Sequence, residues 1–221
     1  MSRKKRRLLP KRNIYVVIVD GETEEWYLKK MKDYERKLSI DIRPKLPRKL
    51  NLKGLFERVI AYAEVEDYNR IYWIIDFDTI WKETKETKPG LETPIQKLQK
   101  YLTKIEALNK RSKKGQEEDR IQVCINNPCL EQWVLCHLTR SGRYFPQCIE
   151  VEKEVRKRLP LYQKTEDFFT RKKPDIYTRL KPYQAEAIKH AKQLGSFHIE
   201  EPSQAKAEMY KLIEDLLKVK N

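Results

Sequence analysis

The sequence predicts an α/β fold, a mostly parallel sheet flanked by helices with a helical C-terminal appendage. Three segments carry the sheet: the apolar runs Ile14–Val19 and Ile71–Ile75, and the strand-like Ile121–Ile125. Each is too short for a helix and rich in β-branched or aromatic residues, the signature of strands covered on both faces. Segments with helical spacing separate them. Beyond Phe145 the strand-like runs stop and helical patterns dominate.

Residues 1–12 read as a basic flexible arm, because Arg3, Lys4, Lys5, Arg6, Arg7, Lys11 and Arg12 occur there with no acid between them. Residues 13–145 form the α/β core and residues 146–221 a helical region packed on it. The first strand ends at Asp20-Gly21, where the chain can turn. Thr23 is the expected N-cap of the next helix, and Glu24 and Glu25 suit the positive end of its dipole. Tyr27, Met31, Tyr34 and Leu38 recur at helical spacing as its buried stripe. A short strand is expected at Ser39–Arg43 and a helix at Leu52–Val65.

The central strand, Arg70–Asp78, carries Asp76 and Asp78, two acids on one side of an extended chain. Thr79–Pro94 reads as a loop and Ile95–Leu108 as a helix. Lys110–Arg120 is a charged segment expected to be locally disordered. After the third strand, Asn127 is the expected cap of a helix with Pro128 at its first position. Leu130, Trp133, Val134, His137 and Leu138 are its apolar stripe. Further helices are expected at Val151–Leu159, Pro174–Leu194 and Gln204–Val219.

The chain has 221 residues, 48 Lys or Arg against 33 Asp or Glu, and a net charge of +15. A high content of both charge signs describes many solvated surfaces; the excess of one sign points to a polyanionic partner, nucleic acid rather than membrane. Cys124, Cys129, Cys136 and Cys148 lack C-x-x-C spacing, which argues against zinc and for reduced thiols in a cytoplasmic protein. No apolar run is long enough for a signal segment or a membrane span.

In open parallel sheets, ligands gather beyond the carboxyl ends of the strands. Asp20, Asp76, Asp78, Asn127 and Glu131 all follow strands, so adjacent strands would bring them to one crevice. Hard oxygen ligands of this kind suit Mg²⁺ or Mn²⁺. The alternative readings are ordinary: Asp at a strand end opens turns, Glu24 and Glu131 suit helix starts, Asn127 caps, and His137 on an apolar face fits a core histidine.

The segments Asp20-Gly21-Glu22-Thr23-Glu24, Asp76-Phe77-Asp78 and Asn127-Pro128-Cys129-Leu130-Glu131-Gln132-Trp133, with Leu135 and His137, resemble the ordered motifs of the RloB-like proteins. Tyr162 and Lys164 resemble a Tyr-x-Lys of that family, and Glu201-Pro202-Ser203 its Asn-Pro-Ser segment. The resemblance implies a TOPRIM-type domain, the metal-binding fold of topoisomerases, primases and some nucleases. It further implies a role in prokaryotic anti-phage defence or abortive infection, where related effectors cut nucleic acid, some of them tRNA. This sequence has Asp20 where the family has Glu, and Thr79 where the family often has an acid.

Two functions follow as expectations. One is a Mg²⁺- or Mn²⁺-dependent nuclease preferring RNA to DNA. Asp20, Asp76 and Asp78 would hold metal and Glu131 would be a further ligand or general base. Glu24 and His137 complete the candidate catalytic set. Gly21, Asn127, Pro128 and Trp133 would shape the site, and Lys164, Arg171, Lys172, Lys173 and the N-terminal arm (Arg3, Lys4, Lys5, Arg6, Arg7) would track phosphates. The other is a non-catalytic nucleic-acid-binding or sensor protein on the same scaffold. A partner protein from a defence system is compatible with either.

Overall fold

A computed structural model describes residues 14–35, 40–43, 50–65, 68–112 and 119–218. The elements are β1 (Tyr15–Ile18), α1 (Glu22–Tyr34), β2 (Ile40–Arg43), α2 (Leu52–Ala63), β3 (Arg70–Asp76), α3 (Phe77–Glu86), α4 (Pro94–Ser112) and β4 (Ile121–Asn127). They continue with α5 (Leu130–Leu138), α6 (Cys148–Arg158), α7 (Ile176–Leu180), α8 (Gln184–Gln193), β5 (Lys206–Ala207) and α9 (Met209–Lys218). The basic arm and Leu38 lie outside the described residues, as do 113–118 of the charged segment.

The five strands lie in the order β2-β1-β3-β4-β5. The first four are parallel, and β5 closes one edge antiparallel to β4. The three segments are therefore adjacent, with Ile18 beside Trp73 and Ile75 beside Ile125. Alternation divides their side chains between two cores. Val16, Ile18, Ile71, Trp73 and Ile75 pack with Leu55, Phe56 and Val59 of α2, Ile80 of α3 and Leu98 of α4. Val17, Tyr72 and Ile74 pack on the other face with Tyr27, Leu28 and Met31 of α1, Trp133 of α5 and Leu212 of α9. Burying each such side chain contributes about 1.5–3 kcal/mol, so both faces must be covered.

Several local expectations are corrected. Thr79–Pro94 is not a loop: α3 occupies Phe77–Glu86, anchored by Phe77 and Ile80 in the α2/α3/α4 core. The strand consequently stops at Asp76, and Asp78 stands in the first turn of α3, its N–H donating to the Pro128 carbonyl (3.0 Å). Helix α1 starts one residue before Thr23, with Gly21 as N-cap. Tyr34 is exposed rather than part of the core stripe. Asn127 is the last residue of β4 and caps nothing; the Asn127–Pro128 peptide is cis and Cys129 is the N-cap of α5. The Asn127 amide is otherwise engaged, donating to the carbonyls of Pro202 (2.7 Å) and Gln204 (2.8 Å).

The helix expected at Gln204–Val219 begins only at Met209, and ahead of it lies β5, which joins the sheet. Its two residues are too few to leave a periodic signal. Cys129 and Cys148 form a disulfide, contrary to four reduced thiols, while Cys124 and Cys136 are free and buried. The 19-residue separation hides the pair, because only packing of α5 against α6 brings their Cα atoms to 5.7 Å. Among the described residues no helix is long and apolar enough to cross a membrane.

Candidate active site

A cavity of about 500 Å³ opens beyond the carboxyl ends of β1 and β3. Asp20 and Gly21 enter it from the turn after β1, Glu24 from the first turn of α1, Asp76 from the end of β3 and Asp78 from α3. Lys164 faces them from the segment after α6, and Glu83 and Cys129 complete part of the wall. The fold thus assembles four of the expected acids. Glu83 was missed in the sequence because its segment read as loop.

The acids are poorly neutralised. Glu24 is buried and accepts a 3.3 Å hydrogen bond from the Thr23 hydroxyl, while its Oε1 has no hydrogen-bond partner. One oxygen of Asp76, Oδ1, is likewise buried without a partner. Burial raises the pKa of Glu24, with the Glu131 carboxylate adding to the effect. Burial also lifts Asp76 well above the carboxylate range, reinforced by Glu24 and Glu131. Asp78 is raised by burial too, opposed by the Thr79 N–H donating to its Oδ1 (2.7 Å). These are same-sign groups held together without enough compensating donors.

Glu131 differs from them. Its carboxylate is fully buried but accepts from the Tyr162 hydroxyl (2.7 Å) and the Lys164 ammonium (3.2 Å). The Cys148 sulfur lies 3.0 Å from the same Oε2. Burial works against the Lys164 charge, yet Glu131, Asp76 and Glu24 outweigh it and hold its pKa above the ordinary lysine value. Glu131 therefore positions Lys164 over the acids. Cys129, Glu131 and Cys148 also bring three potential ligand atoms within 4.8 Å of one another, but the sulfurs are bonded to each other.

Gly21 keeps Glu24 in place by being small, since an added Cβ would stand 2.5 Å from Glu24 Oε2. Trp133 donates through Nε1 to the Tyr27 hydroxyl (3.2 Å), fixing α5 against α1. Asn127 and Pro128 tie the end of β4 to the 202–204 segment and to α3. His137 does not line the cavity: it is buried beside Trp133, with ring Nδ1 donating to the Trp133 carbonyl (2.9 Å). Burial pushes its pKa down to about 4. Arg171, Lys172 and Lys173 lie at and after a π-helical turn and do not line the cavity.

The carboxylate oxygens fit a hard divalent cation, the ligand class that Mg²⁺ and Mn²⁺ prefer. The orphaned oxygens of Glu24 and Asp76 are the observation that favours one, because buried polar atoms ordinarily find partners. A family model for RloB-like proteins matches residues 15–216. The chain belongs to the RloB-like family. No curated protein and no solved structure matches it. The matched region runs from the start of β1 into α9, so the acids, Lys164 and the 202–204 segment all lie within it.

Proposed function

We propose that this RloB-like protein is a Mg²⁺- or Mn²⁺-dependent nuclease on a TOPRIM-type scaffold, acting on RNA in preference to DNA in prokaryotic defence. The observation that carries the proposal is the set of buried, unpartnered carboxylate oxygens at the carboxyl end of a parallel sheet. A chain with net charge +15 supplies the attraction for a polyanion. The choice of RNA rests on the family resemblance.

Asp20, Asp76 and Asp78 would hold the cation. Bound there, it would lower the pKa of a coordinated water and neutralise charge on a phosphate oxygen. Glu24, whose pKa is raised by burial and by the neighbouring Glu131 carboxylate, is suited to take up a proton. Lys164 presents a positive charge toward the substrate phosphate, where charge develops in phosphodiester cleavage. Tyr162 and Glu131 orient that ammonium, so Glu131 serves as a positioning residue rather than the general base.

The test is cleavage of total cellular RNA, with plasmid DNA in parallel, in Mg²⁺, Mn²⁺ or EDTA. Discrete RNA fragments are expected from the wild type and should vanish with EDTA and with Asp76→Asn/Asp78→Asn. Absence of cleavage of either nucleic acid, with salt-sensitive binding intact in both proteins, would replace this proposal by the non-catalytic sensor.

A further inference from the structure

A second cleft, of about 380 Å³, adjoins the acid cavity and shares Asp78 with it. One wall is a single stripe of α3. Asp78, Trp81, Lys82 and Lys85 are spaced i, i+3, i+4 and i+7 and so lie on one helical face. The facing wall is Pro146 to Ile149, at the start of α6. Ile149 is 47% exposed, although it is a large aliphatic side chain.

The stripe therefore runs from an acid, through an indole, to two exposed lysines. The Lys85 ammonium lies 4.8 Å from the Trp81 ring centre, a cation–π contact that leaves it near the cleft. Trp81 is anchored by stacking on Phe77, with ring centres 6.2 Å apart, so the indole is a firm wall rather than a loose side chain. Flat apolar surface bordered by positive charge, next to a site for a phosphodiester, matches one ligand chemistry: a nucleobase carrying its phosphate.

We propose that this cleft is a nucleobase subsite. A base next to the scissile phosphate inserts between Trp81 and the Pro146/Ile149 wall, while Lys82 and Lys85 contact the flanking phosphate. A base held in a duplex has both faces stacked and its edge paired, so it cannot enter. The substrate is thus unpaired at the cut, as in a loop of a folded RNA or a single strand. This inference rests on the acid cavity being the nuclease site, and it adds which strand form that site accepts.

Binding is measured by anisotropy with fluorescently labelled single-stranded and duplex oligonucleotides of one sequence, in EDTA, so that no cleavage intervenes. Trp81→Ala should weaken single-strand binding about 5- to 150-fold, the range expected for losing one base–aromatic stack. Trp81→Phe should retain most of it, and Ile149→Ala, at an exposed position, should weaken it without altering the melting temperature. Duplex binding should be unaffected by all three. Unchanged single-strand binding in both alanine variants overturns the subsite, as does equal loss for single strand and duplex. If wild type cuts RNA while Trp81 proves irrelevant to binding, the subsite alone fails. If Trp81-dependent binding persists without any metal-dependent cleavage, the nuclease reading alone fails.

Discussion

Glu24 and Glu35 stand at opposite ends of α1, both buried, and their surroundings could hardly differ more. Glu35 accepts from the Tyr177 hydroxyl (2.9 Å) and pairs with the Lys181 ammonium (2.6 Å). Glu24 faces Asp76 and Glu131, and one of its oxygens has no partner. The same contrast runs along the sheet. At the amino end of β3, Arg70 and Tyr72 both donate to Asp215 of α9. At the carboxyl end of β3, Asp76 meets other carboxylates. Buried charges that are neutralised inside the chain hold it together; those left unneutralised are available to a cation or a substrate.

The sharpest way to break that comparison is a pair of isosteric substitutions. Glu35→Gln leaves Lys181 without its charge partner and should cost about 2 kcal/mol, a figure kept low because Lys181 is partly exposed. For a chain of this size that is a fall in melting temperature of about 4–8 °C, with Mg²⁺ affinity unchanged. Glu24→Gln should do the reverse. Melting in EDTA would hold or rise, while Mn²⁺ affinity measured by calorimetry falls by at least about 10- to 100-fold. Equal destabilisation by both variants would mean that Glu24 is merely another structural acid.

A smaller effect lies in the pH dependence of stability. Glu24, Asp76 and Asp78 have folded-state pKa values raised above those of the unfolded chain. Between the unfolded and folded values the native state binds more protons, so stability falls as pH rises. Melting temperature in EDTA should therefore decline as pH rises above the ordinary carboxylate range. Saturating Mg²⁺ competes with those protons and should flatten the slope, a difference visible in paired thermal scans. Asp76→Asn should flatten it without metal.

Gly21→Ala is the gentlest probe. The backbone there is extended, φ −126°, and open to any residue, so melting should shift by no more than about 1 °C. The new methyl group would displace the Glu24 carboxylate and weaken Mn²⁺ binding less than about tenfold. A Gly21→Ala protein that binds Mn²⁺ like wild type would show that the position of Glu24 does not matter.

Much of the fold was legible because sheet burial leaves a direct trace. Tyr15–Val19 and Ile71–Ile75 are covered on both faces, so apolar residues run consecutively there, and Ile121–Ile125 is apolar but for Gln122, which left the acids beyond them easy to place at strand ends. Helix α3 was not legible. It buries only Phe77 and Ile80, with Trp81 half-buried beside them and the remaining positions polar or charged, so its period is faint. That one error hid Glu83 in the acid cavity and the Trp81 stripe beside it. Tyr162 and Lys164 were visible as a motif, but nothing in the chain order placed them against Glu131, 31 and 33 residues earlier.

The amino-acid sequence alone determined the α/β class, the positions of the first four strands along the chain, the basic balance and the acids that follow three of those strands, because these depend on local pattern and composition. Only the tertiary structure decided that β1, β3 and β4 adjoin, that Glu131 is engaged by Tyr162 and Lys164, that Cys129 meets Cys148, and that Glu24 and Asp76 bring unpartnered buried oxygens to the cavity. Whether a buried carboxylate is neutralised depends on which distant side chains the packing brings within hydrogen-bond reach, and that is a property of the folded chain as a whole.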